Sequence, residues 1–176
     1  ESHYREALAI QDAIGEGLSG ERPRLYLLLV YVRLGRYSEA EALIRTAESG
    51  FDSERWGQNQ VFERCSGWLL TRQGRYDEAR SLLEASWKLT PPRYHSHNLL
   101  YLGPAVRGQG NGREAEEILQ KGLALAEGSE DQPAQADLLA ELGFTALQLG
   151  AIEAAQDNFA RSLAISEDIG RRHTAS

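Results

Sequence analysis

Few residues in this chain combine a reactive type with a spacing that would do chemistry. His95 and His97 are separated by one residue. A metal would need both on one side, but i and i+2 residues of a helix point apart, and no nearby cysteine or carboxylate set completes a shell. Cys65 is the single cysteine. It has no obvious histidine base in sequence and reads as a small, partly buried residue, which also excludes an internal disulfide framework and suits a reducing, cytoplasmic setting. Glu114, Glu116 and Glu117 open a helical stretch, where carboxylates complement the helix dipole and stay solvated. Gly108-Gln109-Gly110 follows no strand and reads as a turn. No phosphate loop, nucleophile elbow or zincin motif is present. The expectation is a protein with no catalytic residues, no metal and no cofactor, hence not an enzyme.

The remaining charged groups are dominated by arginine: 17 arginines stand against two lysines, Lys88 and Lys121. That bias reads as the composition of a GC-rich bacterial genome. The net charge of −7 over 176 residues argues against general binding to a phosphate backbone, so no nucleic acid contact is expected. Aliphatic residues and alanine supply most of the apolar content, the palette of packed helices. No apolar run approaches the roughly 20 residues that span a bilayer. The longest, residues 25–32, is flanked by Arg24 and Arg33. The chain holds no methionine and opens on what reads as mid-helix, so the expectation is a piece of a longer protein.

What must position these side chains is a repeat. Gly74-Arg75-Tyr76-Asp77-Glu78-Ala79 is nearly duplicated by Gly35-Arg36-Tyr37-Ser38-Glu39-Ala40, with weaker copies beginning at Gly110 and Gly150. These glycines lie 39, 36 and 40 residues apart. A period between about 20 and 50 residues signals a solenoid. Each glycine is expected to form a tight turn between two helices. Ala40, Ile44 and Ala47 fall at i, i+4 and i+7, one helical face. The stripe returns as Ala79, Leu83, Ser86, then Ala115, Leu119, Gly122, then Ala155, Phe159, Ser162. Small residues let helices approach and the large one fills the gap. Thr90 is expected to cap the next helix with Pro91 in its first turn. Pro104 falls inside the first helix of the third repeat, where it removes a backbone donor and predicts a kink. Residues 4–15 match 159–170 in pattern, so 1–15 reads as a second helix lacking its partner.

On the glycine-x-aromatic-x-x-alanine turns, the Leu102-Gly103 and Leu142-Gly143 pairs in the first helices, and Pro91 closing a repeat, the chain resembles tetratricopeptide repeat proteins. Ser66-Gly67 and Leu27-Leu28 depart from that pair, and Gly112 and Ile152 replace the turn tyrosine. The resemblance implies an all-α fold, a right-handed superhelical solenoid of stacked antiparallel helix hairpins. It divides one domain, 1–176, into an orphan helix at 1–15, repeats at 21–50, 58–90, 91–128 and 131–170, and a tail at 171–176. It also implies that the first helix of each repeat lines a concave groove that binds a protein or peptide segment.

Carrying the groove positions across gives Leu25, Tyr26, Leu29, Val32 and Arg33 in repeat one, and Val61, Arg64, Cys65, Trp68, Thr71 and Arg72 in repeat two. Repeat three gives His97, Leu100, Tyr101, Pro104 and Arg107; repeat four gives Asp137, Glu141, Phe144, Leu147 and Gln148. Tyr26, Trp68, Tyr101 and Phe144 form an aromatic series, and Arg33, Arg64, Arg72 and Arg107 make the middle basic. Guanidinium forks suit carboxylates, and aromatics and arginine dominate binding hot spots. The expected ligand is a segment with acidic and apolar side chains. The alternative is that the aromatics pack between repeats and the arginines are solvated. Repeat length and style resemble the helical arrays of bacterial regulators, so the scaffold is expected to sit in such a protein. Other readings are a stand-alone adaptor, or a homo-oligomer formed through the N-terminal half-repeat at Tyr4 and Leu8.

Overall fold

A computed structural model of the chain describes residues 21–50 and 60–174. The expected orphan helix at 1–15 and the side chains of Leu25, Tyr26, Ala47 and Val61 lie outside what it describes. Four helix pairs follow one another: α1 Glu21–Arg33 with α2 Tyr37–Gly50, α3 Gln60–Arg72 with α4 Tyr76–Leu89, α5 His95–Gly108 with α6 Gly112–Gly128, and α7 Gln132–Gln148 with α8 Ile152–Thr174. A 3₁₀ turn, Pro92–Tyr94, leads into α5. Each helix packs on its neighbours in sequence, and the first helices of successive pairs also touch, which builds an all-α superhelical solenoid.

The repeated glycines close the first helix of each pair. At Gly74, with φ +78°, the chain enters the left-handed region that glycine occupies without a Cβ penalty. Its N–H donates to the Thr71 carbonyl at 3.1 Å, and the Arg75 N–H reaches back to Leu70 at 2.9 Å. This pair of bonds satisfies carbonyls at the helix end, the Schellman arrangement. Gly35, Gly110 and Gly150 share the positive φ.

The stripes pack as their residue sizes require. Ala40, Ala79, Ala115 and Ala155 are all buried at 1% exposure or less. Gly67, Gly103 and Gly143 of the first helices sit so close to Leu83, Leu119 and Phe159 that an added Cβ would come within 2.6 Å of each. The turn tyrosine follows the same rule: Tyr76 packs against Gly108, where a Cβ would meet the ring at 2.3 Å. In the third repeat Gly112 replaces the tyrosine, and Leu149, just past the end of α7, packs there instead, 2.9 Å from a Cβ at that glycine. The buried clusters each draw on three consecutive helices, for example Leu28, Ala40 and Phe62 from α1, α2 and α3. No hairpin therefore completes its own core.

Two local expectations are corrected. Thr90 closes α4 and does not cap α5: its hydroxyl donates to the Ser86 carbonyl at 2.8 Å and accepts from the Asn98 amide at 3.1 Å. The fourth repeat's second helix runs on to Thr174, through most of the segment expected as a tail. Pro104 lies inside α5, which runs on to Gly108, so the proline does not end the helix. At the start of α7 the Ala134 N–H donates to the Asp131 carboxylate at 3.2 Å, with Pro133 in the first turn.

Candidate functional site

The first helices α1, α3, α5 and α7 lie side by side. Among the described residues they alone line a recess of about 580 Å³ that includes Leu29, Arg33, Trp68, Tyr101, Pro104 and Asp137. A second recess of about 300 Å³ adjoins it, sharing Trp68, Pro104 and Glu141 and adding Arg72, Tyr76 and Arg107. Together they form a groove across the four first helices. Its floor is aromatic: the Trp68 and Tyr101 rings sit 6.2 Å apart at 46°. Burial pushes the Tyr101 phenol up to about 12, so it remains a neutral hydroxyl.

Of the residues expected to form a binding surface, the structure brings together Leu29, Arg33, Trp68, Arg72, Tyr101 and Arg107. Tyr26 contributes a side chain outside the described residues. Arg64 is turned inward and only 5% exposed. Its guanidinium donates to Asn98 Oδ1 at 3.2 Å and lies 5.8 Å from the Tyr94 ring centre. Burial lowers its pKa from the usual arginine value. Arg64 thus joins α3 to α5 from beneath the groove and does not line it. Phe144 lies off the two recesses, half exposed, with its ring edge-on to Phe159 at 5.1 Å.

The three arginines that line the recesses differ in what already holds them. Arg107 Nη2 lies 2.8 Å from Glu141 Oε2, and its Nη1 donates to the Glu141 carbonyl and the Thr145 hydroxyl. Arg33 and Arg72 make no hydrogen bond or ion pair among the described residues. Across the recess stands Asp137. Although that residue as a whole is exposed, desolvation of its carboxyl raises its pKa, against the opposing pull of Arg33 and His97. His97 is lowered by burial and by Arg64, against Asp131 and Asp137, so it is neutral near pH 7. The groove therefore carries both signs of charge. Asp137 and Glu141, both expected groove positions, supply the acidic side, and with Pro133 they stand at i, i+4 and i+8, one helical face.

The two histidines part company, His95 stacking on Trp87 at 3.9 Å and His97 facing Asp131 at 3.7 Å. Among the described residues no group of three or more histidine, cysteine, aspartate or glutamate side chains gathers as a metal site. Cys65 is buried and its thiol is raised to about 12 by desolvation, which removes the thiolate a nucleophile needs. Glu114, expected to be solvated, instead receives Arg80 at 2.6 Å and ties α4 to α6. Among the described residues no helix is long and apolar enough to cross a membrane.

Solved structures share this architecture at low identity. A MamA structure (MSR-1) superposes with a TM-score of 0.55 at 20% identity, covering 95% of this chain and 89% of that one. A second MamA structure, an RS-1 double mutant, gives 0.57 at 19% identity, over 94% and 86%. A Podosopora anserina putative kinesin light chain with nearly identical TPR-like repeats gives 0.56 at 19%, over 96% and 85%. At such identity the likeness is one of fold. No curated protein matches the sequence significantly. Two family models, both described as tetratricopeptide repeat, match residues 96–168 and 67–90, together more than half of the chain. Matched models, positive-φ turns and small-on-large hairpin packing agree that this chain belongs to the tetratricopeptide repeat family, whose helical arrays are scaffolds for protein–protein interaction.

Proposed function

We propose that the chain binds a segment of a partner protein in the groove of its first helices, gripping acidic side chains with Arg33 and Arg72 and apolar ones on Trp68 and Tyr101. The observation that carries this reading is the pairing of an aromatic floor with two guanidinium groups that no described residue engages. Arginine and aromatic side chains in a recess are the groups that most often dominate binding energy. A free guanidinium presents a fork that matches a carboxylate. The test is selection from a random displayed-peptide library on the wild type and on Arg33→Glu/Arg72→Glu, with helicity checked by circular dichroism. Enrichment of acidic, apolar peptides by the wild type alone is expected. Equal enrichment by both proteins would sink the reading.

The wider setting that fits best is a larger bacterial regulatory protein. It rests on the lengthened repeats, whose turn glycines are 36 to 40 residues apart, and on the arginine-rich composition. Reading the coding sequence on both sides decides it: a DNA-binding or ATPase module is expected, and a stop codon at each boundary would favour a stand-alone adaptor.

A further inference from the structure

The groove's charges are sorted by helix. Arg33 and Arg72, the cations left unengaged, come from α1 and α3 on one side, while Asp137 comes from α7 on the other. Arg33 influences the Asp137 carboxyl across the recess, yet the two form no ion pair. Glu141 stands on the same wall as Asp137, one helical turn on. Its Oε2 is within ion-pair distance of Arg107 at 2.8 Å, but the angle gives no hydrogen bond, and this buried oxygen has no other partner. Arg107 still neutralises Glu141, so Asp137 is the carboxylate of the α7 wall that no ion pair among the described residues engages. Trp68 and Tyr101 lie between the two walls.

Each simpler ligand leaves a charge in the wrong company. A wholly acidic segment would set a carboxylate against Asp137, and like charges brought together at an interface oppose binding. A wholly basic one would meet Arg33 and Arg72. A wholly apolar one would desolvate both walls with nothing to pair them. Resting on the reading that the groove binds a peptide segment at all, we infer a partner of two charges. That segment carries a carboxylate against Arg33 and Arg72, a lysine or arginine against Asp137, and an apolar side chain between them on Trp68 and Tyr101. Opposite poles also fix direction, because a reversed segment meets like charge at both ends.

The experiment extends the peptide selection to Asp137→Lys, with circular dichroism confirming equal helicity. The wild type is expected to enrich peptides bearing both charges around an apolar residue. The best of these should bind Asp137→Lys about tenfold or more weakly, and recover when its own cationic residue is changed to glutamate. Acidic peptides that bind Asp137→Lys as well as or better than the wild type would overturn this inference and leave the groove reading standing. Peptides insensitive to every groove substitution, or none at all, would overturn both.

Discussion

In the third hairpin Gly103 of α5 faces Leu119 of α6, and a Cβ at position 103 would lie 2.5 Å from Leu119 Cγ. The second and fourth hairpins repeat this with Gly67 under Leu83 and Gly143 under Phe159. In the first hairpin the corresponding residues are Leu28 and Ile44. Leu28 is fully buried, while Ile44 is only partly covered and borders a recess of about 440 Å³ beside α3 and α4. The later hairpins thus put the large side chain on the second helix and remove it from the first. The opening hairpin puts the buried bulk on the first helix. With Leu28 and Ile44 the first hairpin carries two large side chains where the others carry one, and only Leu28 is fully buried, as a close-packed interface requires. The lesson is that the repeat motif specifies a filled space, not which helix fills it.

The largest expected effects come from emptying that space from either side. Leu119→Ala and Leu28→Ala should each lose about 2–5 kcal/mol, from lost burial plus the cavity left behind. Urea denaturation followed by far-ultraviolet circular dichroism measures both. Comparable losses would confirm that the two arrangements fill equivalent space. A loss at Leu28 well below the lower bound would break the comparison and show that the first hairpin packs loosely whatever occupies position 28.

Gly103→Ala sharpens it further. The new methyl meets the Leu119 side chain and should cost about 1–3 kcal/mol by overpacking, partly offset by about 1 kcal/mol of better helix propensity. In the Leu119→Ala background the same substitution should reverse sign and stabilise, because the methyl then fills the hole. Residues in contact give such non-additive cycles. Additive losses would mean that the two positions do not share one space.

The frame was legible in the sequence because its causes are local. A left-handed turn needs glycine at a fixed place, so Gly35, Gly74, Gly110 and Gly150 announced the hairpins. A helix buries one face, so the alanine–large–small stripe announced the packing. The groove was legible in outline, since Trp68, Tyr101, Arg33 and Arg72 follow from their positions on the first helices. Its charge balance was not. Whether an arginine faces solvent depends on residues 34 or so away: Asn98 takes Arg64 into the interior, and Glu141 occupies Arg107. Thr90 misled for a related reason, because its hydroxyl found an acceptor four residues back and a donor in Asn98.

The smallest expected effect lies at the junctions between repeats, where the first and second differ in sign. At the second junction Arg80 of α4 donates to Gln109 at 3.2 Å and pairs with Glu114 at 2.6 Å. Six residues past Gly35, the place Arg80 holds after Gly74, stands Glu41, which accepts from Gln73 Nε2 at 2.8 Å. Gln73 Oε1 is left buried without a donor. Glu78 occupies the place of Glu114 and pairs only with its own helix start, Arg75. Glu41→Arg would put a guanidinium where the second junction has one, offering a donor to Gln73 Oε1 and a charge to Glu78. The expected gain is a few tenths to about 1 kcal/mol, the range for partly exposed pairs, shrinking as salt is added. Arg80→Ala should lose a similar amount with the same salt dependence. A loss at Glu41→Arg that salt does not change would mean that the first junction is held by its glutamate–glutamine bond alone, and that the two junctions are different devices.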